Sequence, residues 1–197
     1  MHKRQAILDA AERELAQRGS YAMTMASVAR AAGVATGTLY LYFADKQVLL
    51  AAVQEQVMVA ATTAVNHGDD VSQPLAQRLS GYWLRLYRYF VANPDALRCW
   101  MFYIHSPECD RVALMARQEQ LFAPLIALME EMRQRALVKP WPVQLLALFA
   151  LDSAVALAEK QHLGLIPDVD ETTLASLASA SWQAIALNSA TLEGALT

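Results

Sequence analysis

The chain has 197 residues, enough for one or two modest domains, and 55% of them are hydrophobic, enough for a sizeable core. A formal net charge of −3 argues against the whole surface coating a polyanion. Two cysteines, Cys99 and Cys109, exclude a disulfide framework.

Only 7 Gly and 7 Pro punctuate the chain, and its apolar residues recur mostly at helical spacing, so the expected fold is all-α with about nine helices. The first helix is expected over Lys3–Arg18, with Ile7, Leu8, Ala11 and Leu15 as its apolar stripe and Gly19 at its C-terminal cap. Thr24 is placed to cap a second, short helix with Met25, Val28, Ala29 and Ala32 facing inward. Gly33 ends it at a turn that calls for positive φ. Thr36 is placed to cap a third helix ending near Phe43. Asp45 is placed to cap a fourth, from Lys46 through Leu49, Val53 and Val57 toward Ala64. After a polar break at His67-Gly68-Asp69-Asp70, helices are expected over Pro74–Ala92, Pro94–His105, Asp110–Ala136, Pro142–Leu163 and Asp170–Asn188.

Charge divides the chain unevenly. Residues 1–50 carry six basic side chains against four acidic ones, and the remainder ten against fifteen. A mildly basic head (1–50) on an acidic helical body (51–197) suits contact with nucleic acid through the head alone. The basic start Met1-His2-Lys3-Arg4 leads into an amphipathic segment and not an apolar one, so no signal peptide is expected. The apolar run Val143–Ala158 is interrupted by Gln144, Asp152 and Ser153 and is too short for a bilayer, so the expectation is a cytoplasmic protein without membrane contact.

The segment from Thr24 to Leu50 has the grammar of a helix-turn-helix. At 100° per residue, Leu39 and Phe43 fall together toward the core, whereas Gly37, Tyr40 and Leu41 fall on the outer face with Thr36 and Thr38 at its flanks. An outward Tyr and Leu suit base edges, where apolar groups touch thymine methyls and hydroxyls bond bases or phosphates. Lys46 and Thr24 open helices and suit phosphate oxygens.

Those residues resemble the TetR family of bacterial transcriptional regulators: Thr24, then Ala32-Gly33-Val34, Thr36-Gly37-Thr38, Leu39-Tyr40-Leu41-Tyr42-Phe43 and Lys46. The likeness covers about the first quarter of the chain. It implies that Thr36, Thr38, Tyr40 and Leu41 meet bases, and that Thr24, Gly37 through its backbone, Tyr42 and Lys46 meet phosphates. For Tyr42 the alternative is that it mostly packs.

Recognition of a palindromic operator on double-stranded DNA calls for pairing of two short reading helices about 34–36 Å apart. The expected homodimer face is Ala147, Leu151, Ala154 and Ala158 with Leu174, Leu177, Ala178, Trp182 and Ile185, small and apolar residues at helical spacing. The alternative is that these stripes pack within one subunit. A small-molecule effector of unknown identity is expected among Tyr82, Trp83, Tyr87, Trp100, Met101, Tyr103 and Met129, with an ordinary aromatic core as the alternative.

The expected function is therefore a ligand-responsive transcriptional regulator, most simply a repressor, with no cofactor. The fourth helix would transmit the effector's signal to the head. A thiol- or metal-sensing regulator using Cys99, His105 and Cys109, with Glu108 beside them, is the alternative within the same fold, although the spacing matches no standard zinc pattern. A helical enzyme or adaptor is more remote. The chain contains no nucleophile elbow, HExxH, P-loop or dinucleotide fingerprint, and Asp69-Asp70 and Glu130-Glu131 read as solvated charges.

Overall fold

The computed structural model describes residues 2–107 and 109–187; Met1, Glu108 and the expected helix end at Asn188 lie outside the described residues. Ten α-helices and no strand are found among them. Contacts divide the chain into two compact units, one of residues 1–60 with 93–121 and the other of residues 61–92 with 122–197.

The first unit contains α1 (His2–Ala22), α2 (Met25–Ala31), α3 (Thr36–Tyr42), α6 (Pro94–Ile104), α7 (Arg111–Leu121) and most of α4 (Lys46–Asn66). Helix α1 packs on α2 and α6, and α2 on α3. The expected stripe of α1 is buried: Ile7, Leu8, Ala11 and Leu15 are all nearly inaccessible. Gly19 marks a kink and not an end, because the helix resumes to Ala22 after a residue at φ 72°. A polar seam ties α1 to α4, with Gln56 Nε2 donating to Glu12 Oε2 at 2.9 Å and Asp9 Oδ1 at 3.3 Å. Burial raises the Glu12 carboxyl above its ordinary pKa, and the Gln56 hydrogen bond opposes that shift.

The second unit holds α5 (Leu75–Ala92), α8 (Ala123–Gln134), α9 (Val143–His162) and α10 (Glu171–Ile185), with the end of α4. Helix α5 packs against α8, α9 and α10, and α9 against α8 and α10. A single helix was expected over Asp110–Ala136; two are found, broken at Phe122. Pro124 sits in the first turn of α8, where its missing N–H is harmless, so the chain restarts there. After α8, a short antiparallel bridge pairs Val138 with Ala186. Lys139 N–H donates to Ile185 C=O at 2.8 Å, and Leu187 N–H to Leu137 C=O at 3.0 Å.

Asp69 is also not a solvated charge. Its carboxylate accepts from Arg78 Nη2 at 2.7 Å, from Arg78 Nε at 3.2 Å and from the Tyr82 hydroxyl at 3.2 Å. Arg85 lies 4.0 Å away and donates through Nε to Val65 C=O near the end of α4 at 2.6 Å. The Arg78 hydrogen bonds hold the Asp69 carboxyl below its ordinary range. Glu130, by contrast, pairs with Arg133 at the surface. Among the described residues α4, and not the 143–158 run, is the helix long and apolar enough to cross a membrane, and half of its most apolar window is buried inside the protein.

Candidate nucleic-acid interface

Thr24 builds the start of α2. Its Oγ1 accepts from Ser27 N–H at 3.0 Å, while Thr24 N–H donates to Ser27 Oγ at 3.1 Å. This reciprocal box satisfies two amides that a helix start would otherwise leave unpaired. Met25, Val28 and Ala29 point inward and are buried. The turn closes through Val34 N–H to Ala29 C=O at 3.0 Å with Gly33 at φ 66°. No atom lies within 4 Å of a Cβ placed on Gly33, so conformation alone demands glycine there.

Helix α3 starts at Thr36, but Thr36 is not its cap. Ala35 is, and it makes no side-chain capping bond; its carbonyl accepts from Thr38 and Leu39 N–H. The Thr36 side chain is thus left for the surface, where it is exposed. One turn on, the helix divides as its periodicity requires. Leu39 and Phe43 are buried at 0% and 2% exposure, whereas Tyr40 is 50% and Leu41 85% exposed. Gly37 is exposed, and Thr38 is half-buried. A Cβ placed on Gly37 would meet nothing within 4 Å, and its φ is not positive, so nothing inside the chain requires glycine at that point. Tyr42 is 43% exposed and therefore sits between packing and solvent.

Asp45 caps α4 through Oδ1, which accepts from Val48 N–H at 2.8 Å. Lys46 is half-buried, and its ammonium donates to the Ser20 carbonyl, so this residue already has a structural partner. Arg4 lies over the Phe43 ring, 5.4 Å from its centroid.

The aromatic set falls into both units. Tyr82, Trp83, Tyr87 and Met129 belong to the second, where all four are buried. The polar tips of its three aromatics are satisfied: Tyr82 by Asp69, Trp83 Nε1 by Ser153 Oγ at 2.8 Å, and the Tyr87 hydroxyl by Gln161 Oε1 at 2.7 Å. Trp100, Met101 and Tyr103 belong to the first unit; Tyr103 is buried and the other two are half-buried.

The stripe expected to meet a second copy is turned elsewhere. Leu151, Ala154, Ala158, Leu174, Ala178 and Ile185 are buried within the protomer, with Ala147 and Trp182 half-buried. The alanines among them let α9 and α10 pack against each other within the second unit. The apolar face left exposed is Leu145, Leu148 and Phe149 on α9, with Leu177, itself part of the expected α10 stripe. Beside it an open groove of about 440 Å³ is lined by Trp83, Phe149, Ser153, Leu157, Ile166 and Leu177.

The cysteine cluster does not come together as a metal site among the described residues. Cys99 is buried, its thiol lies 3.2 Å from the Glu12 carbonyl, and burial pushes its pKa well up, opposing the thiolate that metal or oxidant would need. Burial also raises Cys109, and His105 is exposed. His162 ends α9, with Nε2 3.0 Å from Phe90 C=O.

Sequence reasoning passed over two residues. Phe149, 53% exposed, carries the apolar face, and Gln54 is a buried polar residue inside the apolar stripe of α4. The second was visible as an interruption between Val53 and Val57.

Two family models match the chain: "Bacterial regulatory proteins, tetR family" over residues 7–53, and "Tetracyclin repressor-like, C-terminal domain" over residues 74–186. A TetR family transcription regulator from Marinobacter aquaeolei is similar over 94% of this chain and 96% of its own, at 29% identity and a TM-score of 0.86. A putative TetR family transcriptional regulator from Vibrio parahaemolyticus is 31% identical, covering 94% of this chain and 100% of that one, with a TM-score of 0.83. An HTH-type transcriptional regulator of Haemophilus influenzae is 29% identical over 91 residues, a match that spans 46% of this chain and about half of that protein, 49%. Signatures at both the head and the body, together with full-length likeness in fold, lead to one assignment: the chain belongs to the TetR family of bacterial transcriptional regulators.

Proposed function

We propose that this regulator is a ligand-responsive repressor that binds a palindromic operator as a homodimer in the cytoplasm and is released by a small-molecule effector. One observation carries the reading: the outer face of α3 exposes Tyr40 and Leu41 around a glycine, Gly37, that the fold itself does not need. Thr36, Thr38, Tyr40 and Leu41 would meet bases, and Thr24, the Gly37 backbone, Tyr42 and Lys46 phosphates. Residues 1–50 would read DNA, and residues 51–197 would bind effector and pair the subunits.

Pairing is assigned to the exposed face of Leu145, Leu148, Phe149 and Leu177. An exposed apolar patch of this kind is a usual mark of a protein interface. Repression would follow from occupancy of a promoter. Induction is a population shift in which the effector binds better to the conformer that does not fit DNA, with α4 as the transmitting element.

Genome-wide footprinting with the purified protein, followed by mobility shift on the recovered fragments, tests this. The expected result is a two-fold-symmetric footprint whose affinity falls steeply with salt. A protein that ignores every duplex from its own genome refutes it.

A further inference from the structure

Gln54 lies in the middle of α4 at 3% exposure, and neither its Oε1 nor its Nε2 has a hydrogen-bond partner. A buried amide with both ends unpaired is costly, because it has given up water on each side. Its helical neighbours one turn either way, Leu50 and Met58, are each 2% exposed, and so is Val57; Val53 is fully buried. None of these offers a strong donor or acceptor side chain in exchange. The side chains one turn away on α4 are therefore apolar and uncharged.

The next residue, Glu55, is tied to a lightly held helix. It takes a two-pronged ion pair from Arg117 of α7, with Nε 2.9 Å from each carboxylate oxygen. Helix α7 buries none of its own residues. An element fixed by a surface ion pair and not by a core can open without unfolding its neighbours.

We propose that Gln54 is the polar anchor of the effector site, and that it selects a neutral, largely apolar molecule carrying a donor and an acceptor on one edge, namely a primary amide or a lactam. Such a head group returns both missing hydrogen bonds at once: its N–H donates to Gln54 Oε1, and its C=O accepts from Gln54 Nε2. A carboxylate offers no donor for Gln54 Oε1 and would bring its charge out of water beside these apolar neighbours. This rests on the ligand-responsive reading above but is judged by separate measurements.

The test uses the full chain with octanamide and ε-caprolactam as probes, and octanoate and N,N-dimethyloctanamide as controls. At least one of the two amide probes is expected to raise the melting temperature of the wild type, whereas neither control does. In Gln54→Met that shift disappears and the calorimetric affinity for the amide falls roughly tenfold or more. The ligand-free variant is expected to melt about 2–4 °C higher than wild type, because an unpaired amide has been replaced by an apolar chain of similar volume. Gln54→Leu should behave likewise. Operator binding without probe should be unchanged in both variants.

The proposal is overturned if neither amide stabilises the wild type, if the variants keep the shift, or if both variants melt lower or fail to fold, since the amide then has partners inside the chain. A wild type that binds no operator even without probe would instead count against the repressor reading alone.

Discussion

Leu41→Ala isolates the outer face of α3 from the fold that carries it. The substitution removes three carbons' worth of apolar surface, about 2.4 kcal/mol if fully buried at ~0.8 kcal/mol per methylene. In the protein alone Leu41 is 85% exposed, so only a small part of that term, about 0.4 kcal/mol, is at stake in folding. The remaining ~2 kcal/mol becomes available only when another surface covers the side chain, and it corresponds to about a 30-fold weaker dissociation constant. Fluorescence anisotropy on a footprinted operator fragment should therefore show a loss approaching 30-fold, while thermal melting moves by no more than about 2 °C. A scrambled duplex should bind both proteins almost equally, because the contact proposed for Leu41 is to thymine methyls and not to phosphates. A melting point several degrees lower with unchanged operator affinity would refute the reasoning and return Leu41 to the core.

Thr24→Ala removes the accepting half of the Thr24–Ser27 capping box and should cost about 1 kcal/mol, visible as a melting temperature lower by about 2–4 °C. Asp69→Asn should destabilise the chain at pH 7 by about 1–3 kcal/mol, because Arg78 and Arg85 lose their carboxylate. The Asp69 carboxyl is held below its ordinary value of 3.8, so its contribution is present above that pH and is lost as pH falls through the folded-state value. Urea midpoints between pH 7 and pH 2.5 should accordingly converge for the two proteins on the acid side. Phe149→Glu places a charge on the exposed α9 face and should raise the dimer dissociation constant by more than about 100-fold, through the ~3 kcal/mol or more that a buried unpaired charge costs. Light scattering on gel filtration reads the result, and an unchanged mass would move the dimer contact elsewhere.

The head was legible because its signals are local. Gly33 stands where a positive φ is required, and the spacing of Leu39 and Phe43 fixes which side of α3 faces the core and hence that Tyr40 and Leu41 face out. Caps were less secure: Thr36 has the right chemistry, but backbone geometry gives the position to Ala35, one residue earlier. Pro124 escaped notice because a proline can open a helix as readily as it breaks one.

The body was legible only as helices. Periodicity shows that Ala150, Ala154 and Ala158 share a face, but not whether that face meets the same chain or another copy. In the fold it lies inside the second unit, and the exposed strip is rotated to Leu145, Leu148 and Phe149. Asp69 looked solvated because it sits in the polar break, while its partners, Arg78, Tyr82 and Arg85, follow on α5. Gln54 has no such partner, and only three-dimensional burial distinguishes it from an ordinary helix-surface glutamine.

The tie from Lys46 to the Ser20 carbonyl fastens the first residue of α4 to the stretch of α1 just past its kink. An ammonium has three protons to donate, so this bond leaves two for a phosphate. Lysine at this point would thus serve as a pin and, in the proposed DNA contact, as a counterion. Replacement by glutamine keeps a donor for the pin and discards the charge, whereas alanine discards both. Any excess loss of operator affinity in the alanine variant over the glutamine one measures how firmly the reading head must be held in line with the rod behind it.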